Sequence, residues 1–286
     1  METQLKVINY HNIKLMKRIL YLTDLSRETI DYIPYILSLA KLMDAEIHVC
    51  YISNTLEADE ISKVDVHPLF DFFNSNSTKE DVISFNEYKL EVEQFLSNEY
   101  EGMSIHFHFR NGNFINSVNK ISEQLGIDLI VLKTNTRGKV HNFLYHSHAI
   151  EMIQEIQSPL LILPREFENK MVSKITFATT LRNKEMDVIQ NIQKQCESKN
   201  VDFGCLFFTN SITEISKYEQ FQKFNLEIIK HSSFEEGIKQ YAKNNHLDIL
   251  GMFHRDLSLW IRFLHNSHTK SVVYELNTPI LVLHTN

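Results

Sequence analysis

Glycine is scarce in this chain, with 7 among 286 residues, against an average near ~7% of positions. A loop that cradles phosphates needs bare backbone and left-handed turns, so the shortage speaks against such a loop anywhere. Cysteine is sparser still. Cys50, Cys196 and Cys205 are odd in number and fall on strand-like or helix-like apolar patterns, which argues against a disulfide framework and for a reducing cytoplasm. Long apolar runs are missing too. Pro159 to Pro164 is strand-sized, far short of the ~20 residues that span a bilayer. Residues 1–15 mix Glu2, Lys6, His11 and Lys14 with isolated apolar residues and read as a short extension, not a secretory leader. Positive charge is in deficit, the formal net charge being −7 with a pI near 6.1, so nucleic acid and anionic membrane are poor partners. Nucleophile elbows, paired catalytic carboxylates and redox cysteine pairs cannot be placed on the strand ends, and no catalytic residue is assigned.

What is present is a repeat. Asp128 recurs as Asp248, Phe143-Leu144 as Phe263-Leu264, Ser147-His148 as Ser267-His268, Glu155 as Glu275 and Pro159 as Pro279, all displaced by 120 residues. An offset held through strand, loop and helix means one folding unit present twice. The opening strands, Ile19 and Ile175, are displaced by 156 instead. The second copy has therefore lost about 36 residues, the difference of the two offsets, between its second and third strands. Residues 209–225 must there do the work of 53–102, and only a short helix fits. With 43% hydrophobic and 23% charged residues, the chain can build two cores of roughly 140 residues each.

Within the first copy, periodicity predicts strands at 18–23, 46–52, 104–109, 128–132 and 160–163. Helices are expected at 27–43, 86–99, 114–125 and 147–157, with 133–146 as a loop. Pro34 falls near the start of its helix, where it is best tolerated, and Gly126 follows a helix end. The second copy predicts a strand at 173–179, a helix at 184–199, a strand at 201–208 and a last strand at 280–283. Strands alternating with helices imply parallel sheets covered on both faces. The expected fold is α/β: two tandem doubly wound domains, 16–166 and 172–286, each an open, mainly parallel five-stranded sheet with helices on both faces.

The order of elements, the opening Ile19–Asp24, the closing Asp128–Leu132 and Ser158–Pro164, and their repeats Asp248–Leu250 and Thr278–Leu283 resemble the universal stress protein family in its tandem form. The resemblance covers nearly everything from Met16 onward and implies an adenine nucleotide alpha hydrolase-like fold. Relatives dimerise through the last strand, so it also implies an internal pseudo-dimer, with a homodimer of the chain left open. Nucleotide-binding members carry a loop after the fourth strand spelled Gly, two residues, Gly, nine residues, Gly, then Ser or Thr. Here the spacing persists without the glycines. Lys133, Thr136 and His146 precede Ser147, and Phe253, Asp256 and Asn266 precede Ser267. The two serines read as helix N-caps. An acid that helps hold adenosine corresponds to Asp24 and, in the second copy, to Thr180; an Asp there is equally a turn residue.

Asp24, Lys133, Thr136, Arg137, His146 and Ser147 are accordingly the candidate remnant of a nucleotide or anion site. Lys133, Arg137 and Lys139 put positive charge on its loop. His141, His146 and His148, with His254, His265 and His268 in the second copy, tempt a metal reading, but the spacing is irregular and no metal is expected. The function expected is that of a non-enzymatic universal stress protein in stress response or regulation, without a cofactor. The alternatives are ATP binding with weak hydrolysis in the first domain, or a module that binds a hydrophobic ligand or a protein partner.

Overall fold

The computed structural model describes residues 16–53, 79–99, 105–133, 149, 151–164, 171–210, 215–245, 247–254 and 277–284. The first half runs β1 (Arg18–Thr23), α1 (Arg27–Ile30), α2 (Ile33–Met43), β2 (Glu46–Ser53), α3 (Lys79–Glu99), β3 (Ile105–Asn111), α4 (Phe114–Leu125), β4 (Leu129–Lys133) and β5 (Leu160–Leu163). Residues 151–155, just before β5, are helical. The second half runs β6 (Lys174–Ala178), α5 (Asn183–Ser198), β7 (Asp202–Thr209), a 3-10 helix (Ile215–Phe224), β8 (Leu226–Lys230), α6 (Phe234–Asn244), β9 (Ile249–His254) and β10 (Ile280–His284).

All ten strands form one sheet in the order β3-β2-β1-β4-β5-β10-β9-β6-β7-β8. Each half contributes five parallel strands, and the halves meet where β10 pairs antiparallel with β5, Leu281 opposite Leu161. Both seam strands are buried throughout, as a strand covered on both faces must be. The doubly wound α/β fold is as the sequence predicts. Side chains alternate along each strand: Ile19 and Tyr21 enter one core layer with α2, α3 and α5, while Leu20 and Leu22 enter the other with α4, Met152, Ile153 and α6.

Several boundaries differ from the sequence reading. The single helix expected over 27–43 is two, broken at Asp31 and Tyr32, because Pro34 in the first turn of α2 has no N–H to give and crowds the carbonyl of Ile30. The helix expected from residue 86 begins at Lys79, and β3 runs on to Asn111. Lys133 is the last residue of β4, not the first of a loop. Gly126 closes α4 with φ 61°, the left-handed turn that glycine takes without strain. The shortened middle of the second half holds the 3-10 helix alone among the described residues.

The repeat has a visible cause at Asp128 and Asp248. Asp128 Oδ2 accepts from the backbone N–H groups of Lys17 and Arg18 at 2.8 and 3.1 Å, and Asp248 Oδ2 from those of Ser173 and Lys174 at 2.7 and 2.8 Å. Each carboxylate ties the start of its half's first strand to the start of the fourth.

Candidate functional site

In an open parallel sheet, ligands bind beyond the carboxyl ends of the strands where the strand order reverses. That point lies between β1 and β4 in the first half, and between β6 and β9 in the second. Both turns that leave β1 and β6 are built alike. Thr23 Oγ1 accepts from Leu25 N, and Thr179 Oγ1 from Leu181 N, each at 3.0 Å. Leu25 and Leu181 both take φ 60°, so the correspondence at 156 residues is preserved in backbone detail.

Asp24 lies half-buried at the head of the first turn, its Oδ1 accepting from Ser26 N at 2.9 Å. This is the local bond an Asp makes in a turn. Around it Thr23 and Thr29 share a buried hydroxyl contact of 2.9 Å. Because Thr29 donates to Ser26 O at 2.6 Å, the Thr23 hydroxyl must be the donor between them. The Tyr21 hydroxyl donates to Thr29 O at 2.9 Å. At the end of β2, Asp81 of α3 accepts from Ser53 Oγ and Tyr51 OH. Burial first, and Asp81 next, push the Tyr51 phenol up to about 12.

Lys133, expected on a basic loop over 133–146, ends β4 instead. Its side chain is 4% exposed and its ammonium is held by the Glu28 carboxylate, while Nζ stands 5.7 Å from the centre of the Tyr32 ring. Burial of a lysine requires such a partner. Lysine is seldom interior, and the acid that permits it here, Glu28, comes from a helix 105 positions earlier. Thr136, Arg137, His146 and Ser147 lie outside the described residues, as do Lys139, His141, His148, Asp256, His265, Asn266, Ser267 and His268.

The second half fills the same place differently. Glu185, the counterpart of Thr29, is 1% exposed. It accepts from Thr179 Oγ1 at 2.7 Å, Thr180 N at 2.8 Å and Thr180 Oγ1 at 2.8 Å, so the carboxylate is anchored by three donors. Phe253, at the first-glycine spacing, is buried in β9. The Phe177 ring lies directly over Gly251: a Cβ there would stand 2.3 Å from ring carbon. His254 and His284, adjacent in register, have ring centres 4.6 Å apart. Neither Nε2 has a hydrogen-bond partner among the described residues, and both imidazoles are held below the usual histidine range by burial. Among the described residues no group of three His, Cys, Asp or Glu is placed to hold a metal. The three cysteines are free and buried, their thiols pushed up to about 12 by burial, so none is a thiolate nucleophile near neutrality.

Glu28, Asp81 and Glu185 are not among the residues that motif and spacing single out. Only Glu185 left a trace, as an acid standing five residues after the Thr that replaces Asp24.

A sequence profile of the universal stress protein family matches residues 16–164. No curated protein matches the chain. Among solved structures, a universal stress protein from Archaeoglobus fulgidus DSM 4304 superposes with TM-score 0.63 at 14% identity, covering 96% of this chain and 100% of that one. A functionally unknown protein from Pseudomonas aeruginosa PAO1 gives 0.59 at 11%, covering 96% and 94%. A putative universal stress protein from Pseudomonas aeruginosa UCBPP-PA14 gives 0.57 at 10%, covering 95% and 94%. At such identities the likeness concerns the fold.

Proposed function

We propose that this chain, which belongs to the universal stress protein family, is a non-enzymatic stress-response or regulatory binding protein that works without ATP in either half. One observation carries the reading: both strand-end positions are filled from within. In the first, Lys133 is already paired with Glu28, and a phosphate arriving there must displace one anion to install another. In the second, the buried Glu185 carboxylate meets a phosphate with its own sign of charge, which repels it strongly where water is excluded. Neither loop sequence has glycine at the spacing where bare backbone would let a phosphate approach N–H groups closely. The cytoplasm is the compartment this reading expects, in keeping with three buried free thiols. No described helix is long and apolar enough to cross a membrane.

Equilibrium dialysis of the whole chain against labelled ATP and Mg²⁺ tests the proposal, with no saturable uptake as the expected result. Stoichiometric uptake at micromolar ATP, lost in Asp24→Ala, would replace it with a nucleotide-binding reading. Release of phosphate in the same samples would further make the first half a weak ATPase.

A further inference from the structure

The seam between the halves is not fully packed. On the face carrying α2 and α5, an apolar cleft of about 100 Å³ opens over the β5–β10 pairing, floored by Leu161 and Leu281 and walled by Leu39 and Ile192. Its origin lies in the repeat. Residues of α2 and α5 at the seam correspond at the 156-residue offset, and along it Leu39 becomes Gln195, Leu42 becomes Ser198 and Met43 becomes Lys199. Three apolar side chains on one flank thus face three polar ones on the other, all six lining the cleft. Polar side chains on that flank do not fill the space as apolar ones would, and a narrow gap is left above the buried floor.

One charged side chain, Lys199, lines the cleft among the described residues. Lys199 is exposed, and close enough to contribute to holding the Asp44 carboxyl below its usual range, a shift due first to the hydrogen bond from Lys17. Lys17 Nζ contacts Asp44 Oδ2 at 2.6 Å. Lys17 is thus paired with Asp44, whereas Lys199 lines the cleft itself and makes no ion pair among the described residues. An apolar cavity of ~150 Å³ stays dry and takes up benzene; this space of about 100 Å³ is smaller but open at its mouth, so it takes the end of an alkyl chain while the rest lies along the mouth.

We propose that the seam cleft binds an amphiphile made of an alkyl chain and a single carboxylate, the chain against Leu161 and Leu281 and the carboxylate at Lys199. This goes beyond the reading of the strand ends and does not depend on it, since the cleft lies on the seam and shares no residue with Asp24, Lys133 or Glu185.

Octanoate and the whole chain provide the test, by calorimetry and by ¹³C NMR of labelled carboxylate. The expected result is one saturable site per chain, at least fivefold weaker for octanol, which has the same tail without the charge. Lys199→Glu should weaken octanoate at least fivefold with an unchanged melting temperature. Cys196→Leu, which adds volume to the cleft wall, should abolish binding; should that variant melt early, Ser198→Phe at the exposed mouth is read in its place. Absence of saturable binding overturns the proposal. So does octanoate binding that survives the filling variants, which would make it a surface ion effect, and octanol binding equal to that of octanoate removes the role of Lys199.

Discussion

His284 ends the last strand with 5% of its surface exposed. Burial, and then the neighbouring His254, bring its imidazole down to about 4. His108 on β3 is likewise brought to about 4, by burial and then by His48, Arg110 and His106, while its Nε2 lies 3.0 Å from His48 Nδ1. Unfolding returns each ring to about 6.5. A folded-state value below the unfolded one means that the stabilisation is fully present above pH 6.5 and is lost as pH falls towards 4. The loss per histidine approaches about 1.4 kcal/mol per pH unit at its steepest. The urea midpoint of the native chain should accordingly fall between pH 6.5 and 4.5, and fall less in His284→Gln; an equal fall in both proteins would show that His284 does not titrate as described. Residue type alone does not reveal such a histidine. His284 stands one place before a chain-terminal Thr-Asn, and only its pairing with β9 places it beside His254.

At the scale of elements, the two carboxylate ties are the clearest product of the repeat. Asp128 secures β1 to β4, and Asp248 secures β6 to β9, through two backbone N–H groups each. Asp248 Oδ2 also accepts from Ser173 Oγ at 2.7 Å. Charge-assisted bonds of this kind are the stronger sort, and their loss strands backbone donors. Asp128→Ala and Asp248→Ala should each cost about 1–3 kcal/mol in denaturant unfolding, with the second at the upper end because it loses a third donor. A negligible cost for Asp128→Ala would mean that water replaces the carboxylate freely. The same scale shows where periodicity misleads. An apolar stripe continues from Ile30 to Leu42 as if through one helix, and the break before Ile33 is dictated by the backbone chemistry of Pro34, not by any face the helix buries.

For the whole molecule, the sheet is continuous only because β5 and β10 cover each other. A strand of sequence Leu-Leu-Ile-Leu, buried along its length, is an adhesive edge once bared. Residues 16–164 produced alone should therefore self-associate through β5, as light scattering coupled to size exclusion would reveal; a well-behaved monomer would show that β10 is dispensable. Alternation and run length, being local, are enough to read the five strands of the first half and their parallel class from the residues, and the 120- and 156-residue offsets reveal the repeat and its shortened middle, while β8 goes unread. The loss of the glycines and the replacement of Asp24 by Thr180 were equally legible. The partners at the strand ends were not. Lys133 finds Glu28 across 105 positions, and the burial of the lysine against a half-exposed carboxylate exists only once β4 lies beside β1. The seam cleft belongs to the same class of fact: the exchange of Leu39, Leu42 and Met43 for Gln195, Ser198 and Lys199 was written in the repeat. It became a cleft only when antiparallel pairing set α2 and α5 on either side of one apolar floor, because packing is decided by which surfaces meet, and chain-distant surfaces meet only in the tertiary fold.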